Sequence, residues 1–146
     1  MVGPTKNVSP RLRIEAECAR RGLRSFVQGC ADVILGADSD TALILVLGGP
    51  HARLILGNGV PDDQAYWFRV WAARGLLWAW DDIGTAAIRT ALGDSAWRVR
   101  EMAAKVVARN QLGDLLPAVL VLRTDPTDRV RSAARRAVAV LTRAAA

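Results

Sequence analysis

The sequence predicts an all-α protein, an α-solenoid of about three stacked helical pairs closed by a helical cap at its amino end. Composition supports helix, because 51% of the residues are hydrophobic but only 5% are aromatic, and alanine is abundant. A segment with helical spacing also recurs three times at intervals of 31 residues, as expected of a repeat architecture. At 146 residues the chain is expected to form a single domain, 1–146.

The cap is predicted over residues 9–47, which do not show the repeat. Ser9 followed by Pro10 predicts a helix start, because the hydroxyl caps N–H groups of the first turn and proline fits that turn. Gly22 predicts the end of this helix. Because a terminal unit must hide one face and expose the other, these residues would close the stack. Two further helices are expected over residues 23–35 and 40–47, the latter capped by Asp40.

The repeat is clearest in three segments that begin with aspartate, DQAYWFRVWAARGLL, DSAWRVREMAAKVVA and DPTDRVRSAARRAVA. They share an apolar residue at the sixth position, arginine at the seventh, alanine at the tenth and a basic residue at the twelfth. Each is preceded by a second apolar pattern with helical spacing, so each unit is predicted to be helix, tight turn, helix. Such a pair cannot bury its own apolar face, and stacked neighbours supply the cover. The units are assigned to residues 48–80, 81–111 and 112–142.

This pattern resembles the HEAT repeat family. The residues that carry the resemblance are DPTDRVRSAARRAVAVL at 125–141, DSAWRVREMAAKVV at 94–107 and, more loosely, DQAYWFRVWAARGLL. It covers about residues 48–142, and residues 66–112 also look like small HEAT-repeat proteins of actinobacteria. The resemblance implies a structural ladder, in which the repeated aspartate and arginine pair between adjacent units. Its members would be Asp63, Arg69, Asp94, Arg100, Asp125 and Arg131.

The second helix of each unit is also predicted to carry an exposed stripe. Its members are the fifth, twelfth and sixteenth residues, counted from the aspartate that begins each repeated segment. The sixth, tenth, thirteenth and fourteenth positions face inward by helical geometry, which leaves the other stripe on the concave surface of the stack. Most of the positive charge lies there, because residues 63–146 carry thirteen basic and eight acidic groups, against seven and six in residues 1–62. The candidate binding residues are Trp67, Arg74, Trp78, Arg98, Lys105, Arg109, Arg129 and Arg136.

A basic concave face edged by tryptophan predicts a non-catalytic binding or scaffold module for a protein or another anionic partner. DNA or RNA binding is the alternative, since Lys and Arg neutralise phosphates and aromatic faces stack on bases. A further alternative is a relative of the HEAT-like alkylpurine DNA glycosylases, with Asp81 or Asp82 beside Trp67 and Trp78, although no specific motif aligns. The same stripe of basic residues also fits a solvated helix face that binds no partner.

Other classes of function find little support in the sequence. The longest apolar run, TALILVLGG at 41–49, is far shorter than the roughly 20 residues of a membrane span, and the amino end lacks an apolar signal core, so no membrane association and a cytoplasmic location are expected. Cys18 and Cys30 are expected to be buried free thiols, with a disulfide or redox pair as the alternative. With His51 as the single histidine and no nucleotide-binding loop, no metal, cofactor or catalytic residue is predicted.

Overall fold

The computed structural model describes residues 8–37, 40–60 and 62–145. The expectation about a signal core at the amino end rests in part on residues 1–7, which lie outside these ranges. The described residues form nine α-helices joined by turns, several of them short 3-10 turns, and contain no strand, which confirms the all-α class. The helices are α1 (Pro10–Arg21), α2 (Leu23–Ile34), α3 (Thr41–Gly48), α4 (Pro50–Gly57), α5 (Tyr66–Trp78), α6 (Thr85–Ala91), α7 (Trp97–Asn110), α8 (Leu116–Val121) and α9 (Asp128–Ala145).

The first three helices begin and end where their capping residues predict. Ser9 Oγ accepts a hydrogen bond from the Leu12 N–H at 3.2 Å, and Gly22 separates α1 from α2 with a φ of 91°. At the start of α3, Asp40 Oδ1 accepts from the Leu43 N–H at 3.0 Å. These side chains satisfy backbone donors that a helix start leaves without an intrahelical partner. The predicted helices of the cap segment are therefore confirmed.

The cap helices surround one end of a core that continues through the rest of the chain. α1 packs against α2, α3 and α5, and α2 packs against both α5 and α6. Ile14, Phe26, Leu43 and Leu47 are fully buried among these helices. The helices of residues 9–47 therefore cover α5, which also packs on α7.

The three long helices α5, α7 and α9 pack side by side in chain order, with α7 in contact with both of the others. On α7 the predicted inward residues Val99, Ala103, Val106 and Val107 are all fully buried. At the equivalent positions of α9, Val130, Ala134 and Ala137 are fully buried and Val138 is partly buried. Helical spacing therefore assigned the buried stripe correctly in the second and third segments.

The first segment departs from the repeat. Phe68, expected in the buried stripe of α5 with Ala72 and Leu76, is only half-buried, whereas Trp71 is buried. Trp71 fits against α3 at Gly48, where a methyl group would lie 2.6 Å from its ring. α4 packs mainly on α3, so α2 and α3 cover α5 where α6 and α8 cover α7 and α9.

The short helices α6 and α8 each follow a 3-10 turn, Asp82–Gly84 and Gly113–Leu115. The carboxylate of Asp81 caps the first of these turns by accepting from the Ile83 N–H at 3.0 Å. Both cysteines are free, and Cys30 is fully buried. No helix in the described part of the chain has both the length and the apolar character that a membrane span needs.

Candidate functional site

Two aspartate–arginine pairs join the long helices to the segments that follow them. Arg69 Nε donates to Asp94 Oδ2 at 2.7 Å and its Nη2 donates to Oδ1 at 3.1 Å. Arg100 makes the same bidentate contact with Asp125, at 2.8 and 3.1 Å. The two residues of each pair are 25 positions apart in the sequence. Each pair therefore links one repeated segment to the aspartate that begins the next. Bidentate contacts of this kind fix orientation as well as adding energy.

The second pair is the more deeply buried. Burial acts to raise the pKa of Asp125, but hydrogen bonds from Arg100 and the Thr127 N–H, together with the charges of Arg100 and Arg131, outweigh it and lower that pKa. Arg100 also donates to the Asp94 carbonyl at 2.8 Å, so one guanidinium joins both aspartates. The arrangement ties α7 to Asp125, which precedes α9, and to the turn before α7.

The outer members assigned to the ladder do not make such pairs. Asp63 is exposed, and it forms no ion pair within the described ranges 8–37, 40–60 and 62–145. Arg131 donates to the carbonyl of Asp125 at 2.6 Å and pairs with Asp128 within its own helix. The described inter-unit ladder therefore has two rungs, because each rung needs an arginine before and an aspartate after the junction.

Most of the predicted binding residues line one of two separate grooves. The other two, Arg98 and Arg129, lie over aromatic rings. The first groove, here called the basic groove, holds about 250 Å³ between α5, α7 and α9. The second, here called the cap groove, holds about 530 Å³. The basic groove is lined by Leu77, Trp78, Lys105, Ala108, Arg109, Arg136 and Val140. Trp67 and Arg74, expected in the same row, instead line the cap groove with Arg13, His51 and Trp71.

Trp78 is not the open aromatic surface that its position in the repeat predicts. The guanidinium carbons of Arg11 and Arg109 each lie 4.6 Å from the centroid of its ring. Arg11 belongs to α1, so a helix of the cap contacts this ring. The half-buried indole thus acts as a support on which two cations rest, an interaction worth about 0.5–1 kcal/mol each at exposed sites.

The contacts of Arg98 and Arg129 with aromatic rings were not predicted from the sequence. The guanidinium of Arg98 lies 4.4 Å from the ring of Trp97 and 5.9 Å from that of Tyr66, and Arg129 lies 5.4 Å from Trp97. A base at the fifth position thus covers the aromatic residue at the fourth position of the preceding unit, 32 residues earlier. That spacing is visible in the sequence as Tyr66 to Arg98 and Trp97 to Arg129.

One carboxylate on this face was also not predicted. Glu101 is buried, and Arg129 donates to both of its oxygens at 2.7 and 3.2 Å, while Lys105 Nζ lies 3.7 Å from Oε1. Arg129 and Lys105 are therefore partly neutralised by the protein itself. By contrast, within the residues that the structure describes, no carboxylate pairs with the guanidinium groups of Arg98, Arg109 or Arg136.

Trp67 and Arg74 are engaged by contacts within the protein itself. The rings of Trp67 and His51 lie 5.1 Å apart, edge to face, and Trp67 stacks on Trp71 at 6.2 Å. Arg74 Nη2 donates to the Leu47 carbonyl at 2.7 Å. Burial lowers the pKa of Arg74, and the positive charge of Arg13 lowers it further. Trp67 therefore packs between α4 and α5, and Arg74 joins α5 to α3.

Comparison of the chain with family models, with curated proteins and with solved structures returns no match. The likeness to the HEAT family therefore rests on the repeated residues alone. In the described part of the chain, no three His, Cys, Asp or Glu side chains come together in a way that could hold a metal ion.

Proposed function

We propose that the chain is a HEAT-like α-solenoid of three helical pairs and that it is a non-catalytic module binding an acidic segment of a partner protein through the basic groove. The observation that carries this proposal is the state of Arg109, which lines the basic groove. Its guanidinium group rests on the ring of Trp78 and is not paired with a carboxylate of the described residues. Arg136 adds a second unpaired guanidinium at the edge of the same groove.

A guanidinium stacked on an aromatic ring is well prepared to receive a carboxylate. Stacking occupies the faces of the planar group and leaves its N–H donors directed outward in the plane, where a carboxylate accepts two of them. Because the ring already restricts the side chain, less rotamer entropy is lost when the partner binds. Arg109 on Trp78 has this arrangement beside Lys105, which places several donors along one groove.

The covered rings favour an acidic protein segment over a nucleic acid. Sequence-tolerant binding of single strands relies on aromatic faces that are open for bases. Here Trp78 supports Arg11 and Arg109, and Trp67 is packed among His51, Trp71 and Arg98. Asp81 caps a turn and Asp82 accepts from Trp80 Nε1 at 3.2 Å, so we assign neither carboxylate a catalytic role.

The experiment measures binding of a short glutamate-rich peptide and of a random-sequence DNA duplex at low salt. The variant replaces Lys105, Arg109 and Arg136 with glutamine, and its control replaces Arg24, Arg89 and Arg123, which are equally exposed but lie outside the basic groove. We expect the groove variant to lose peptide affinity by about tenfold or more, because charge-assisted hydrogen bonds are lost. The control has the same net charge and should retain the affinity.

Two outcomes would count against this assignment. Equal loss in both variants would show that the peptide responds to overall charge rather than to the groove. Tighter binding of the duplex than of the peptide, with a steep dependence on salt, would favour the nucleic-acid alternative.

A further inference from the structure

The cap groove contains two arginine side chains whose charge the protein does not balance. Arg13 from α1 and Arg74 from α5 line this groove together with Ser9, His51 and Trp67. Neither arginine pairs with a carboxylate among residues 8–37, 40–60 and 62–145. The cap groove is separate from the basic groove, so a ligand bound in it would be independent of the proposed function.

The two guanidinium groups are fixed by the carboxyl end of the same helix. Arg13 Nε donates to the carbonyl of Val46 at 3.0 Å, and Arg74 Nη2 donates to the carbonyl of the next residue, Leu47, at 2.7 Å. Both carbonyls belong to the last turn of α3. These contacts account for a capping role, since a helix end leaves its last carbonyls without intrahelical donors.

Capping alone does not balance the charge. A helix carboxyl end presents the equivalent of about half a negative charge, whereas the two arginines bring two positive charges to it. Burial and the nearby charge of Arg13 both act against the charged form of Arg74, and its buried Nε has no hydrogen-bond partner among the described residues. The pair therefore retains an excess of positive charge that a bound anion would offset.

The backbone is shaped to hold Arg13 in this position. Gly49 has a φ of 59°, and a methyl group there would lie 2.8 Å from both Cζ and Nη2 of Arg13. Arg13 Nη1 donates to the Val8 carbonyl at 2.6 Å, which adds a third fixed contact of the pair with carbonyl groups. With their geometry set in advance, the arginines would lose little conformational entropy when an anion binds.

We infer that the cap groove is a binding site for a phosphoryl group, held between the guanidinium groups of Arg13 and Arg74. Arginine donors match the oxygen atoms of phosphate in pairs, and two guanidinium groups supply the charge of a dianion. The rings of His51 and Trp67 line the same groove, so an aromatic group attached to the phosphate would lie against them. The ligand is either free phosphate or a phosphate ester with a planar group.

The test uses the full chain and titrates inorganic phosphate, with sodium chloride adjusted to keep ionic strength constant. Calorimetry and thermal unfolding should both show saturable binding, since an anion that binds only the folded protein raises its melting temperature. Arg13→Gln and Arg74→Gln should each weaken the affinity about tenfold or more, because charge-assisted hydrogen bonds are removed. Arg123→Gln, an exposed arginine outside the groove, should leave it unchanged.

A variant that keeps the fold makes the test decisive. Arg74→Lys retains the charge and a donor for the Leu47 carbonyl but loses the planar guanidinium group. The variant should therefore fold, and its affinity for phosphate should nevertheless be lower than that of the wild type. Phenyl phosphate is the second probe: tighter binding than that of inorganic phosphate assigns the site to an aromatic phosphate ester, and equal binding assigns it to free phosphate. The inference is overturned if neither probe gives saturable binding, or if Arg74→Lys and Arg13→Gln both bind like the wild type.

Discussion

Gly48 and Gly75 determine how closely the helices around α5 approach one another. At Gly75, in the last turn of α5, a methyl group would lie 2.9 Å from Cys30 Sγ of α2 and 3.0 Å from Leu47 Cδ2 of α3. Gly48 makes the matching approach at Trp71. Glycine inside a helix costs about 1 kcal/mol relative to alanine, and here that cost allows three helices to pack in contact.

The Gly75→Ala variant should therefore lose stability although alanine is the better helix former. We expect the free energy of unfolding to fall by about 1–3 kcal/mol, since the added methyl group overpacks a buried contact. Gly57→Ala is the matched control, because it also lies in a helix and a methyl group there meets no atom within 4 Å. Urea denaturation of both variants checks the difference, and an equal gain in stability would show that the core around Cys30 is looser than the structure indicates.

At the scale of the structural elements, the ion pair between Arg100 and Asp125 connects α7 to the segment that follows it. Both charged side chains of this pair are largely buried. The lowered pKa of Asp125 means that its ionised form stabilises the folded state. This stabilisation is fully present above the pKa of aspartate in the unfolded chain, about 3.9, and is lost as the pH falls through the lower folded pKa.

The Asp125→Asn variant should lose part of this acid dependence. We expect the wild type to lose stability progressively below about pH 4, and the variant, already less stable at neutral pH, to follow a shallower slope over the same range. Thermal unfolding measured at a series of pH values gives both slopes. Glu15→Gln serves as the control, because the Arg11–Glu15 pair is exposed and should leave the slope unchanged. A variant slope equal to that of the wild type would remove Asp125 as a source of acid sensitivity.

Local signals made the helices predictable. Ser9, Gly22 and Asp40 act through contacts within a few residues, so their effect is visible in the sequence. The repeat likewise located the buried stripes of α7 and α9, because side-chain direction in a helix follows from spacing alone. Phe68 was assigned wrongly because its segment packs against α2 and α3, which have no counterpart in the repeat.

The candidate site was less predictable because it depends on which side chains meet across helices. Exposure by helical position did place Lys105, Arg109 and Arg136 together. It could not show that Arg11 reaches Trp78 from α1, or that Arg74 turns to a carbonyl of α3. A long arginine side chain can reach several partners, and the tertiary structure determines which of them it contacts.

At the scale of the whole molecule, the long helices of the described residues contact one another in chain order. α5 packs on α2 and α3 as well as on α7, whereas α9 packs on α7 and α8 and on no further long helix among the described residues. In such an arrangement each unit is stabilised mainly by the units next to it. Stability is then expected to vary along α5, α7 and α9, with the helix that has the fewest neighbours opening first.

Amide hydrogen exchange should therefore be slowest in α5 and fastest, among the three long helices, in α9. Two matched core variants sharpen this prediction, Val99→Ala in α7 and Val130→Ala in α9, since both side chains are fully buried. Val130→Ala should speed exchange in α8 and α9 alone, because the segments on its other side keep their contacts. Val99→Ala lies between two neighbours and should speed exchange in α5, α7 and α9 together. A uniform increase in both variants would instead show one cooperative unit, in which loss of any core contact lowers protection everywhere.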